Sequence, residues 1–338
     1  MPRISYRRKL FLKKLLRTLL ILSGAAALIS VVLLIYLEPY VTYDRSGAHL
    51  DLSGTRTAQV EATEPSARPV INDAQIIVQE PAPPSDTIAE MSGYYITTSM
   101  LREPEKVLQT LQSLDSSCAV MIELKSIYGN FYYSTAIGGA ATADVDIAAV
   151  DEILSYLRSH SFYMIAEIPA FCDTNFALAN QSCGLPLSSG ALWMDDRACY
   201  WLDPANEAVL SYLMQIAREL SSLGFKEVAF SEFRFPSSKN IAYSSDKTAA
   251  QLIENAAKQL TAFFTGSNLT ISFVTDDTAF PASACTGRLY IPDVDGTKVE
   301  KYVQAYASAT SLSEIVFLAN SRDARFEQQA TLRPLFTN

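Results

Sequence analysis

Histidine is almost absent from this chain: His49 and His160 are the only two in 338 residues. That scarcity argues against Ser-His-Asp and Cys-His nucleophile systems and against an imidazole-built metal centre. The glycine-dependent phosphate and dinucleotide motifs are missing as well, with no P-loop and no G-x-G-x-x-G, and there is no H-E-x-x-H zinc motif. No cofactor and no metal is expected on these grounds. Cysteine is sparse, at positions 118, 172, 183, 199 and 285, and no two stand at C-x-x-C spacing, which weakens zinc-site and dithiol readings. An odd number in an exported domain leaves at least one unpaired. Cys183 and Cys199 could close a disulfide within one loop, or all could stay thiols.

Acidic residues are missing from the first 17 positions, where Arg3, Arg7, Arg8, Lys9, Lys13, Lys14 and Arg17 cluster. Of 27 basic residues in the chain, 20 then remain against 36 acidic ones, so everything after Arg17 carries a net charge of −16. So acidic a body is a poor partner for nucleic acid or an anionic lipid surface. The uncharged run Thr18–Leu37 has the ~20 residues that cross a bilayer core. Lysine and arginine on its N-terminal side predict a cytoplasmic tail (1–17), a single-pass membrane helix (18–37) and an extracytoplasmic body. A cleaved signal peptide is the alternative. The apolar run is long for one, and "LEPYVTYD" after it offers no small-x-small site.

Residues 38–90 lose periodicity and are rich in Pro, Ser, Thr and acids, as in "QEPAPPSDT", which suits a disordered stalk. From Gly93 short apolar runs alternate with helical stripes, within a domain set at 91–338. Seven runs suit strands: 93–100, 119–125, 162–171, 227–233, 269–274, 288–294 and 314–319. Strands apolar on both faces, separated by amphipathic helices, are the signature of a parallel sheet covered by helices. A (β/α)₈ barrel with one weak or missing strand fits better than an open doubly wound sheet, since no glycine-rich turn follows the first strand.

With histidine scarce, acids and aromatics remain, and those are the tools of glycoside chemistry. Barrel active sites lie at the C-terminal strand ends. Acids fall there on five strands: Glu123, Glu167 with Asp173, Glu232, Asp276 with Asp277, and Asp293 with Asp295. In an acidic body some would do so by chance. Trp193 and Trp201 flank "MDDRACY" in a long loop, as a sugar platform or as a clamp that holds the loop down.

Several segments together resemble a bacterial family of glycosyl-hydrolase-like barrel domains. They are "ELKSIYG" (Glu123–Gly129), "AEIPAFCD" (Ala166–Asp173), "WLDP" (Trp201–Pro204) and "GFKEVAFSEFRFP" (Gly224–Pro236). The resemblance runs from about Gly93 to Pro236 and implies a barrel with a carbohydrate site at its mouth. Relatives read "DVKDDYG", "ARIVVFKD" and "GFDEIQFDYIRFP" in the corresponding places. The family's strand-four Asp is therefore Ser231 here, and its strand-three Arg and Lys are Glu167 and Cys172. Lys125, Tyr128, Trp193, Trp201 and Arg234 survive as candidate substrate contacts, with Ser231 beside them. Glu232, Glu167, Asp173 and Glu123 are the candidate catalytic carboxylates. Strand alternation turns Ala229, Ser231 and Phe233 inward and Val228, Phe230 and Glu232 outward. Glu232 can act only if the chain turns at the strand end and swings it over the mouth.

Three functions compete. They are a membrane-anchored glycoside hydrolase acting on cell-envelope or environmental polysaccharide, a degenerate barrel that binds glycan without turnover, and a scaffold that holds a protein partner near the membrane.

Overall fold

The computed structural model describes residues 91–137, 144–307, 314–320 and 323–337, together with the backbone of 41–44 and 47–50. Those two short segments form an antiparallel pair, Val41–Asp44 with Gly47–Leu50, in a separate unit of the chain. The run Thr18–Leu37 and most of the stalk lie outside the described residues. Among the described residues no helix is long and apolar enough to cross a membrane.

Eight parallel strands close into a barrel: β1 Ser92–Ile96, β2 Ala119–Glu123, β3 Tyr163–Pro169, β4 Glu227–Ser231, β5 Thr270–Val274, β6 Leu289–Val294, β7 Ile315–Ala319 and β8 Ala330–Pro334. They are ordered consecutively, and β8 pairs with β1 to close the ring. The expected barrel is thus complete, and the missing member is β8. Its sequence "ATLRP" alternates rather than running apolar, because only Ala330 and Leu332 belong to the barrel interior. Among the described residues seven α-helices accompany the strands: α1 Thr98–Leu101, α2 Pro104–Leu111, α3 Ile147–Ser159, α4 Thr174–Ala179, α5 Glu207–Ser222, α6 Ala249–Phe263 and α7 Val299–Tyr306.

Local chemistry sets the helix ends. Pro104 occupies the first turn of α2, where its missing N–H costs nothing. Asp146 and Asn206 cap α3 and α5, and Thr248 with Gln251 forms a reciprocal capping box on α6. Alternation along the strands builds two cores. Ala119, Met121, Ile165, Ala229, Tyr290 and Val316 fill the barrel, while Ile122, Ile168, Phe230 and Phe273 face the helices.

The two ends of the barrel interior differ. At the N-terminal end of β4, buried Glu227 pairs with Arg288 and accepts hydrogen bonds from Tyr163 (3.0 Å), Tyr290 (2.9 Å) and Ser272. Burial and the Glu227 charge push the Tyr163 phenol up to about 12. This network plugs the stability end of the barrel. The opposite end is open.

Candidate active site

A cleft of about 550 Å³ occupies the C-terminal mouth. Glu123 and Glu167 are Cα partners across the β2–β3 pair, and both follow inward-facing residues, so their carboxyls project into the same space. Thr98, at the start of α1, donates to Glu123 Oε2 through its N–H (2.6 Å) and its hydroxyl (2.8 Å), which fixes that carboxylate against the cleft wall. Ser231, two residues after interior Ala229, also lines the cleft, where its hydroxyl favours the ionised Glu167 carboxyl. Burial, the Glu123 charge and the Glu232 charge raise Glu167 to about 8, against the opposing pull of the Ser231 hydroxyl. Glu167 therefore keeps its proton at neutral pH beside other acids.

Glu232 also lines the cleft, and the backbone explains how. It adopts φ +49°, in the left-handed region, immediately after β4 ends. That conformation costs a non-glycine residue ~1–3 kcal/mol and concentrates at functional sites. The turn interrupts strand alternation. Phe233, which also lines the cleft, packs with Phe171 and Phe273, each at a ring distance of 4.6 Å. Glu232 is delivered to the mouth beside it. Its carboxylate pairs with Arg197 on one oxygen and with Arg234 (3.4 Å) on the other.

The other candidates separate into two groups. Lys125 lines the cleft, but its ammonium is buried, paired with Asp173 at 2.7 Å and donating to the Pro169 carbonyl at 3.2 Å. Arg234 lines the cleft from its exposed side, stacked 5.1 Å over Trp201. Asp276 adds one more exposed acid to the rim. Asp173 does not reach the cleft. It is fully buried, caps α4 through the Phe176 N–H (2.8 Å) and accepts from Tyr212 (2.9 Å). Gly129 (φ +87°) passes so close that a Cβ there would sit 2.2 Å from an Asp173 oxygen, which accounts for the glycine ending "ELKSIYG". Of the remaining strand-end acids, Asp277 lines a smaller neighbouring groove and Asp295 caps a 3₁₀ turn.

The tryptophans do not line the cleft. Trp201 is 1% exposed and donates its indole N–H to Asp195 at 3.0 Å. Trp193 packs partly buried beside it, with ring centroids 6.5 Å apart. Tyr128 is exposed and donates to the Arg197 carbonyl at 2.9 Å, outside the cleft. Among the described residues no group of three or more His, Cys, Asp or Glu is arranged to hold a metal ion.

Cysteine pairing differs from the expectation. Cys199 bonds Cys172, not Cys183, and Cys183 is a buried free thiol. Cys172 follows β3 and forms an isolated bridge with Trp201, so the fold places its sulfur beside Cys199, which Cys183 does not reach. The bond spans 27 residues of sequence. Chain-entropy reasoning for such a loop predicts that reduction lowers the unfolding free energy by about 3.5 kcal/mol. Urea denaturation with and without a dithiol reductant measures it, and coincident curves would refute a stabilising bond.

A closed (β/α)₈ barrel with convergent carboxyls at its C-terminal mouth has the architecture of glycoside-hydrolase-like barrels. The family model described as "Putative glycosyl hydrolase domain" matches residues 93–275, and the chain belongs to that family. A comparison with curated proteins found no match. Among solved structures the chain is similar to a GH36 alpha-galactosidase from Geobacillus stearothermophilus, with a TM-score of 0.52 and 9% identity, over 72% of this chain and 39% of that one. A cycloisomaltooligosaccharide glucanotransferase from Paenibacillus sp. gives a TM-score of 0.51 and 10% identity, over 70% of this chain and 39% of that one. A hypothetical protein from Ruminiclostridium thermocellum is 22% identical, with a TM-score of 0.47, over 53% of this chain and 97% of that one. The chain thus spans about two fifths of the two enzymes' length, and at these identities the likeness is one of fold.

Proposed function

We propose that this protein hydrolyses glycosidic bonds in cell-envelope or environmental polysaccharide, with its barrel held outside the cytoplasmic membrane by the Thr18–Leu37 helix. The observation that carries the proposal is the convergence of the Glu167 and Glu232 carboxyls on one cleft at the mouth. Glu167 is raised to about 8, so it holds a proton at neutral pH as a general acid must. Glu232 is turned into the same cleft against two guanidinium groups, as suits a nucleophile or a base. Glu123, fixed by Thr98, helps keep Glu167 protonated. Hydrogen bonds from Ser231 and Arg234 would orient the sugar.

The resemblance stated above places the usual acid of relatives on strand four, where this chain has Ser231, and an Arg on strand three, where it has Glu167. In this proposal the carboxylate has moved one strand over, into the same cleft as the serine that replaced it. The same exchange supports a second function, a barrel that binds glycan without turning it over.

A panel of polysaccharides assayed with the full chain tests both. Turnover by the parent that falls ~10²–10⁴-fold in Glu232→Gln supports the proposal. Binding without turnover favours the second function, and undiminished turnover in both Glu232→Gln and Glu167→Gln removes the assigned roles. Neither binding nor turnover would leave the protein-partner scaffold.

A further inference from the structure

We infer that Arg197 is a positioning residue, a guanidinium clamp that holds the Glu232 carboxylate over the cleft. This deepens the proposed function, because it takes Glu232 as a working carboxylate, but the clamp itself stands on geometry.

Glu232 sits in a backbone conformation that local chemistry does not favour, so something outside its own segment must hold it. Its two charged partners are unequal. Arg234 reaches it at 3.4 Å from a side chain that is 56% exposed. Arg197 makes the closer ion pair and is itself secured from several sides. Its Nη2 and Nε lie 3.0 and 3.1 Å from Asp195 Oδ2, and its carbonyl accepts from the Tyr128 hydroxyl at 2.9 Å. Asp195 is anchored in turn by the Trp201 indole, by the Arg197 N–H (2.9 Å) and by the Cys199 N–H (3.0 Å). The left-handed Ala198 closes this turn, and the Cys172–Cys199 bond ties it to the end of β3.

The segment "DDRAC" (Asp195–Cys199) therefore presents one cation at a fixed point above the mouth. A planar guanidinium suits the task, since it binds one carboxylate on each side, whereas an ammonium is a single point charge. Burial opposes ionisation of Asp195, but the bonds from Trp201, Cys199 and Arg197 outweigh it and lower its carboxyl. The Glu232 bond, foremost, holds Arg197 still more firmly protonated. The consequence falls on Glu167. Glu123 from β2, Glu232 and Arg234 beyond β4, Lys125 beyond β2 and Asp276 beyond β5 line the cleft with it. With Arg197 in place the Glu232 charge is largely offset, and without it that charge acts on Glu167 in full.

The test is a ¹³C-carboxyl NMR titration of Glu167 in the full chain, assigned with Glu167→Gln. Arg197→Gln is expected to move the Glu167 midpoint upward by about half a unit to one unit, the scale of one uncompensated neighbouring charge. Arg197→Lys, which cannot bridge Glu232 and Asp195 at once, should move it about half as far. Arg234→Gln should move it less than Arg197→Gln, and Arg197→Gln should have no effect once Glu232 is Gln. An unmoved midpoint in Arg197→Gln, or an equal shift from Arg234→Gln, overturns the inference. Should Arg197→Gln not fold, the Lys variant decides alone, and a midpoint at the parental value counts against the clamp. Since turnover is not the readout, failure of the hydrolase proposal leaves this result standing on its own.

Discussion

Lys125→Met is expected to lower the unfolding free energy by about 3–5 kcal/mol, among the largest effects a single substitution here can have. Lys125 and Asp173 are both fully buried at their side chains and 2.7 Å apart. Removing the ammonium leaves the Asp173 carboxylate with the Tyr212 hydroxyl and the Phe176 N–H but without a counter-charge. A buried pair broken on one side costs more than the pair contributes, because the stranded charge keeps its full desolvation penalty. Adding Asp173→Asn to the variant should recover part of the loss, since the amide oxygen can still accept from Phe176. Chemical denaturation of the three proteins checks this, and a loss under about 1 kcal/mol in Lys125→Met would mean that water reaches Asp173. The pair ties the chain after β2 to the chain after β3 and to the start of α4, beside the cleft.

Glu167→Gln should trade function for stability. The folded state holds the Glu167 proton up to about pH 8, whereas the unfolded chain releases it near 4.5. The folded protein therefore binds the extra proton between those values, and its stability is full below about 4.5 and declines as pH rises through about 8. The slope is at most about 1.4 kcal/mol per pH unit. Glutamine keeps the shape without the charge, so the variant should lose that slope and exceed the parent by at least about 2 kcal/mol at pH 8. Urea midpoints from pH 4 to 9 would show it, and parallel profiles for the two proteins would sink the assignment. On the proposed mechanism the same substitution lowers turnover by ~10²–10⁴-fold, and parental activity falls as pH rises past about 8.

The architecture was largely legible in the sequence. Strands such as "AVMIE" and "IVFLA" are apolar on both faces because a parallel barrel buries both. β8 escaped notice because it is apolar on one face only, and closure of the ring supplies its neighbours. At the mouth, strand parity put Ser231 inward from the chain alone, and Glu167 was visible only as an acid at a strand end. Parity could not say on which side Glu232 would fall, since that depends on one left-handed residue whose conformation is coupled to the packing of Phe233 against Phe171 and Phe273. Those partners lie 62 and 40 positions away in sequence. Arg197 escaped notice for a related reason. The spacing of Asp195, Arg197 and Cys199 was visible between the tryptophans, but nothing local indicates that a loop after β3 arches over the end of β4.

By itself, then, the sequence determined the parallel barrel and the inward place of Ser231, because periodicity and alternation are properties of a segment with its own side chains. Tertiary structure alone decided that Trp201 is buried against Asp195, that Asp173 pairs with Lys125, and that Cys172 bonds Cys199. It also decided that Glu232 faces the cleft under Arg197. Most of these depend on a contact between segments distant in the chain, and such contacts exist only once the barrel has closed.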